Sequence, residues 1–157
     1  RREGRAFLSS RTHPRHMYDH ILFPTDGSER SDAAFDHVLA IAAEHGATVH
    51  IFHVADTARD SVTQISGDVV DVLEREGDRI VEETAKKAAE RGVSTVTEVH
   101  QGGVPESIVA YADEYGIDLI VMPTRGRTGL ERTLLGSVTE RVVRHASVPV
   151  LTIPEEA

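Results

Sequence analysis

The stretch richest in chemistry is Met122-Pro123-Thr124-Arg125-Gly126-Arg127-Thr128-Gly129-Leu130-Glu131-Arg132-Thr133-Leu134-Leu135-Gly136-Ser137. It follows an apolar run and leads into a helical pattern, so it ends at a helix N-terminus. Such an end offers backbone N–H groups without intrahelical partners and a partial positive charge. Glycines beside it (Gly126, Gly129 and Gly136) let an oxyanion come close to the main chain. Thr124, Ser137 and Thr139 add hydroxyl donors, and Arg125 and Arg127 add charge. These residue types make an anion site and favour phosphate. A purely structural account fits the same residues. Ser137 as N-cap with Glu140 three residues on is a capping box, and Gly136 gives a tight entry. Backbone amides can serve both purposes, so neither account excludes the other.

Other chemistries are absent. There is no glycine-rich loop ending in Gly-Lys-Ser/Thr and no G-x-G-x-x-G after the first strand. The chain has no cysteine, which removes disulfides, thiolate metal sites and cysteine nucleophiles. The nine histidines are scattered and make no H-E-x-x-H pair, so a histidine-built metal site is not expected. Ser137 does not sit in a G-x-S-x-G elbow, so hydrolase chemistry is not indicated. No general base stands out, and any hydrolysis is expected to be slow. Asp26, followed by Gly27-Ser28, reads as an ordinary turn or cap residue, with a metal or ribose role as the alternative.

The elements that must position the loop alternate strand and helix. His20–Pro24 is a short apolar strand ending in the turn cluster Thr25-Asp26-Gly27-Ser28. A helix follows from about Ser31, with Ala34, Val38, Ile41 and Ala42 on one stripe and Gly46 as its stop. Thr48–Val54 is the second strand, and Ala55–Gln64 a loop. The second helix runs from about Ile65 to Arg91, with Val69, Leu73, Ile80, Thr84 and Ala88 inward. Gly77 inside it marks a bend or a late start, and Glu82-Glu83 with Lys86-Lys87 reads as a solvated face with i,i+4 pairs. Ser94–His100 is the third strand, and Gly102-Gly103 turns the chain. Pro105 suits the start of a helix carrying Ile108, Tyr111, Ala112 and Tyr115, and Gly116 ends it. The fourth strand is Ile117–Met122, the fourth helix about Val138–His145, and the last strand Val148–Ile153.

This alternation predicts one parallel sheet with right-handed crossovers and helices on both faces. Ligands in such folds bind beyond the carboxyl ends of the strands, where strand order reverses. Pro24–Ser28, Val54–Asp56 and Pro123–Ser137 fall on that edge.

Gly126, nine residues, then Gly136-Ser137 and Val138-Thr139-Glu140-Arg141-Val142 is similar to the C-terminal signature of universal stress proteins. Ile21–Ser28 resembles their first strand and acidic turn, His53-Val54 the end of their second strand, and Val148–Leu151 their closing strand. The likeness spans about Met17–Pro154. It implies an adenine nucleotide alpha hydrolase-like, Rossmann-like sheet of order 3-2-1-4-5 that binds ATP, ADP or AMP. By that resemblance Gly126, Gly136 and Ser137, with Val138 and Thr139 beside them, hold phosphate. Pro24, Thr25, Asp26, Val54, Met122, Pro123 and Thr124 frame the adenine, ribose and metal region, and Mg²⁺ or Mn²⁺ comes with the nucleotide. A homodimer through the last strand is implied too. The pattern G-x₂-G-x₉-G-(S/T) is broken at its first glycine, which is Pro123 here. Proline lacks an N–H and has a fixed φ. A nucleotide-free protein-interaction module of the same fold is therefore the alternative.

Composition bounds the rest. The chain has 157 residues and a net charge of −9, and residues 1–16 alone carry +4. Those sixteen lack periodicity and read as an extension foreign to the 17–157 domain. The acidic remainder repels nucleic acid and anionic membranes. No apolar run reaches the roughly 18 residues needed to span a bilayer, and a cytoplasmic place is expected. Only two of the 17 basic residues are lysines, which suits either a salt-rich interior or arginine-rich codon usage. A phosphate-accepting receiver domain would need a lysine at the last strand, and Val148–Pro154 has none. A flavin site would need aromatic loops, which are missing.

Overall fold

A computed structural model describes residues 16–57, 67–125 and 135–155. The elements run β1 (His20–Pro24), α1 (Glu29–His45), β2 (Thr48–Asp56), α2 (Gly67–Glu90), β3 (Thr95–Gly102), α3 (Val104–Glu114), β4 (Leu119–Pro123), α4 (Ser137–His145) and β5 (Val150–Ile153). The five strands form one sheet of order β3-β2-β1-β4-β5, and every pairing is parallel. The chain steps outward from β1 through β2 to β3, then crosses back to β4 and β5. With crossovers of one hand, that reversal places α1 and α2 on one face and α3 and α4 on the other.

Burial follows this plan. Central β1 is covered on both faces and is apolar throughout Ile21, Leu22 and Phe23. Its side chains alternate. Ile21 and Phe23 join Phe35, Val38, Ile51, Val81 and Val121 under α1 and α2, while Leu22 joins Phe52, Ile108, Tyr111, Ile120, Met122 and Val142 under α3 and α4. Tyr115 is exposed yet stacks on Tyr111, with ring centroids 4.3 Å apart. No helix among the described residues is long and apolar enough to cross a membrane.

Several boundaries and contacts differ from the sequence expectation, each for a physical reason. β2 and β3 run on to Asp56 and Gly102, because their ladder continues through Ala55↔Gln101 and Asp56↔Gly102. α1 begins earlier, at Glu29, since Ser28 caps it. β4 and β5 begin two residues late; the Ile117 amide is spent on the Ala112 carbonyl at the end of α3. α2 begins at Gly67, so Gly77 does not start it. A Cβ there would stand 2.7 Å from Val99 Cγ1 and 2.9 Å from His53 Cδ2, so glycine lets the helix lie close on the sheet. Glu83 pairs with Arg79 (2.8 Å) and Lys87 with Asp32 of α1 (2.8 Å), in place of Glu82-Glu83 with Lys86-Lys87. The inward stripe of α2 is Ile80, Val81, Thr84 and Ala88, with Leu73 half-buried; the side chain of Val69 lies outside the described set.

One polar network crosses the α3 face. Buried His50 places Nδ1 2.9 Å from the Tyr111 hydroxyl and Nε2 3.1 Å from His20 Nδ1. Burial, and then the neighbouring His20, hold the His50 pKa below its ordinary 6.5.

Candidate functional site

Two strand-to-helix turns meet at the carboxyl edge beside the β1/β4 crossover. In the first, Ser28 caps α1 and its hydroxyl accepts from the Ser31 amide at 3.3 Å. Asp26 Oδ1 accepts from the Ser28 amide and from the Ser31 hydroxyl, both at 2.9 Å. Thr25 Oγ1 accepts from the Gly27 amide at 3.1 Å. Gly27 has φ +74, a left-handed conformation that favours glycine. The turn is fastened to the sheet by the Thr25 amide on the Phe52 carbonyl (2.9 Å) and by His53 Nδ1 on the Thr25 carbonyl (2.8 Å). A carbonyl only accepts, so the His53 proton sits on Nδ1.

The second turn is built differently. Gly136, not Ser137, is the N-cap of α4, and no side chain caps the helix. The expected Ser137–Glu140 capping box is thus corrected: Ser137 is the first helical residue, and the Glu140 amide already bonds the Gly136 carbonyl at 2.9 Å. The amides of Ser137, Val138 and Thr139 precede that first intrahelical bond and have no partner among the described residues. The Thr139 hydroxyl is not aimed outward: buried, it donates to the Pro123 carbonyl at 3.0 Å. The Gly136 amide donates to the Thr124 carbonyl at 2.7 Å, and the Thr124 amide to the Ile153 carbonyl at 3.0 Å.

Pro123 ends β4, buried and in register with Ile153. The Thr124 and Ile120 amides both turn toward the β5 side, onto Ile153 and Pro149 carbonyls. Amides alternate sides along a strand, so the N–H that Pro123 lacks would have faced β1 and the crossover cleft.

The structure therefore brings Pro24, Thr25, Asp26, Val54, Met122, Pro123, Thr124, Gly136, Ser137, Val138 and Thr139 to one sheet edge. Val54 and Met122 are buried under α3 and α4, while Ser137 is exposed. Gly126, Arg127 and Gly129 lie outside the described residues. Arg125 parts from the rest. With Pro123 and Thr124 it lines a cavity of about 600 Å³ shared with Ser28, Ala34, His37 and Ile153 on the α1 side of the sheet, and its guanidinium bonds Glu155 at 3.1 Å. This cavity lies across the sheet from the first turn of α4. Asp26 is the acidic residue of the first turn and Asp56 ends β2; among the described residues no three His, Cys, Asp or Glu converge on a metal position. Sequence reasoning missed Ser31 and Glu155. Ser31 was readable as the third residue after the cap Ser28, whereas nothing in spacing pairs Arg125 with Glu155.

Residues 17–154 match the model of the Universal stress protein family. The chain belongs to that family. Universal stress protein MJ0531 of Methanocaldococcus jannaschii is 40% identical over 140 residues, covering 87% of this chain and 82% of that protein. Among solved structures, that of MJ0577 from the same organism superposes with a TM-score of 0.82 at 33% identity, covering 89% of this chain and 98% of that one. A universal stress protein solved in complex with cAMP superposes at a TM-score of 0.69 and 27% identity, covering 87% of this chain and 97% of that one. The family's α/β fold and the strand order anticipated above are thus both present.

Proposed function

We propose that this universal stress protein binds an adenine nucleotide, ATP or its di- or monophosphate, at the β1/β4 crossover. The phosphate lies on the amides of Ser137, Val138 and Thr139. The base and ribose lie over Pro24, Thr25, Asp26, Val54 and Met122. The observation that carries the reading is the start of α4, which no side chain caps: three amides have no partner among the described residues, at the position where open α/β sheets take ligands. The relative in complex with cAMP supports the choice of an adenine nucleotide. No side chains converge on a metal position among the described residues, and Asp26 Oδ1 already accepts two bonds. Mg²⁺ or Mn²⁺ would therefore be held mainly by the nucleotide's own phosphates. A cytoplasmic setting goes with this reading.

β5 is an edge strand here, with Leu151 exposed on it and Val143 exposed on the neighbouring α4. A second copy pairing along β5 would bury both, and Leu151→Asp should then give a monomer by light scattering.

Titration with ATP, AMP and cAMP, with and without Mg²⁺, tests the function. Saturable binding should appear, with stabilisation of about 2.7 kcal/mol at a hundredfold excess over Kd. No heat and no thermal shift at millimolar nucleotide contradict it. Pro123 favours a second reading, a nucleotide-free interaction module, because it removes a donor facing the cleft. Dimerisation without nucleotide binding would select that reading.

A further inference from the structure

Arg125 stands two residues beyond the end of β4, yet its charge is used on the opposite side of the sheet from α4. Its side chain is only 9% exposed, against 43% for Glu155. A guanidinium so buried needs a counter-charge close by. Glu155 supplies it and is itself shared: one oxygen accepts from Arg125 Nη2 at 3.1 Å, the other from Arg30 Nε at 2.9 Å. A single carboxylate thus bridges α1 and the residue after Thr124. The main chain converges at the same point. The Thr124 amide is bonded to the Ile153 carbonyl, two residues before Glu155, and the Thr124 carbonyl receives the Gly136 amide. Thr124 and Gly136 are the two ends of the β4–α4 connection, and Gly136 is the N-cap that sets the direction of the open α4 amides.

We propose that Glu155 is a positioning residue for the candidate nucleotide site. Clasped between Arg30 and Arg125, its carboxylate holds Thr124 against β5, and through Thr124 it holds Gly136 and the first turn of α4. The clasp couples the site to the β5 edge and to α1. Its effect on ligand binding rests on the nucleotide reading above; its effect on the main chain does not.

Amide hydrogen exchange followed by NMR without nucleotide tests the clasp. Glu155→Gln should speed exchange at Thr124 and Gly136 by about tenfold, and Arg30→Gln by less, since the buried Arg125 then keeps its partner. The Asp32 amide, bonded to Ser28 within α1, should not change. Added salt should speed exchange at Thr124 and Gly136 in the wild type and have little effect in Glu155→Gln. A generally loosened tail would show no such salt response. Unchanged exchange at both amides, or an equal salt response in both proteins, overturns the proposal. In a parallel AMP titration, Glu155→Gln should bind about three- to tenfold more weakly. Equal affinities in both proteins overturn the coupling to the site. If the wild type binds no AMP, the nucleotide reading falls, and the exchange data still decide the clasp.

Discussion

The β1–α1 and β4–α4 turns lie side by side on one sheet edge, and both lead from a buried strand into a helix. They handle the helix N-terminus in opposite ways. The first closes on itself: Ser28, Asp26 and Thr25 accept from Ser31, Ser28 and Gly27, and the acidic residues Glu29 and Asp32 sit in the first turn. The second places glycine at the cap, turns the Thr139 hydroxyl inward to Pro123, and leaves three amides without protein partners among the described residues. Both helices have the same dipole and the same orphan donors. On the proposed reading, an anion site depends less on having a helix start than on withholding the side chains that would cap it.

Giving the second turn the character of the first should have the largest effect. Ser137→Asp puts a carboxylate at the first helical residue. Nucleotide affinity should fall by about 2–3 kcal/mol, roughly thirty- to 140-fold, by calorimetry. The helix itself should gain about 0.5 kcal/mol by denaturant titration. Unaltered affinity would mean that the phosphate lies elsewhere.

Dismantling the first turn comes next. Asp26→Ala removes an acceptor of two bonds and should cost about 2 kcal/mol of stability. Asp26→Asn keeps an acceptor oxygen and should cost less than half as much. If Asp26 only fastens α1, both variants should bind nucleotide as tightly as the wild type once each is folded. Comparable loss of affinity in both, with stability kept in Asn, would give the carboxylate a ligand role.

Pro123→Gly restores an N–H facing the cleft. It should tighten nucleotide binding by about 0.5–1.5 kcal/mol, the contribution of one hydrogen bond. It should also lower stability by about 1 kcal/mol through a freer unfolded chain. Weaker binding would show that the chain path set by proline matters more than the donor.

The smallest effect lies away from both turns. His50 has a lowered pKa in the fold, so the unfolded chain takes up its proton first as pH falls. Its contribution to stability is complete above 6.5 and is lost as pH drops below that value toward the folded pKa. The melting temperature should therefore fall between about pH 7 and pH 5. His20→Gln, which removes the second cause, should shrink that fall while leaving exchange at the two turns unchanged.

Much of this contrast was legible in the residues. The strand–helix alternation and the buried stripes Ala34-Val38-Ala42 and Ile108-Tyr111-Ala112 follow from local spacing. What local spacing cannot decide is which of two equally local options wins. Ser137 followed by Glu140 fits a capping box, but the chain enters one residue earlier because the Gly136 amide is drawn to the Thr124 carbonyl. Thr139 looks like a ligand donor until the fold puts the Pro123 carbonyl 3.0 Å away. Arg125 sits in a phosphate-type loop, yet its partner is thirty residues on and across an edge strand. Gly77 reads as a helix fault because the side chains of Val99 and His53 that fill its place come from other elements. Each miss is a tertiary contact overriding a sound local preference.

Following backbone amide shifts by NMR during an AMP titration tests the central claim most directly. The account predicts saturable shifts greatest at Ser137, Val138 and Thr139, with Gly27, Ser28 and Ser31 responding far less. Greatest shifts in the Gly27–Ser31 turn, or no saturable shift at millimolar AMP, would contradict it.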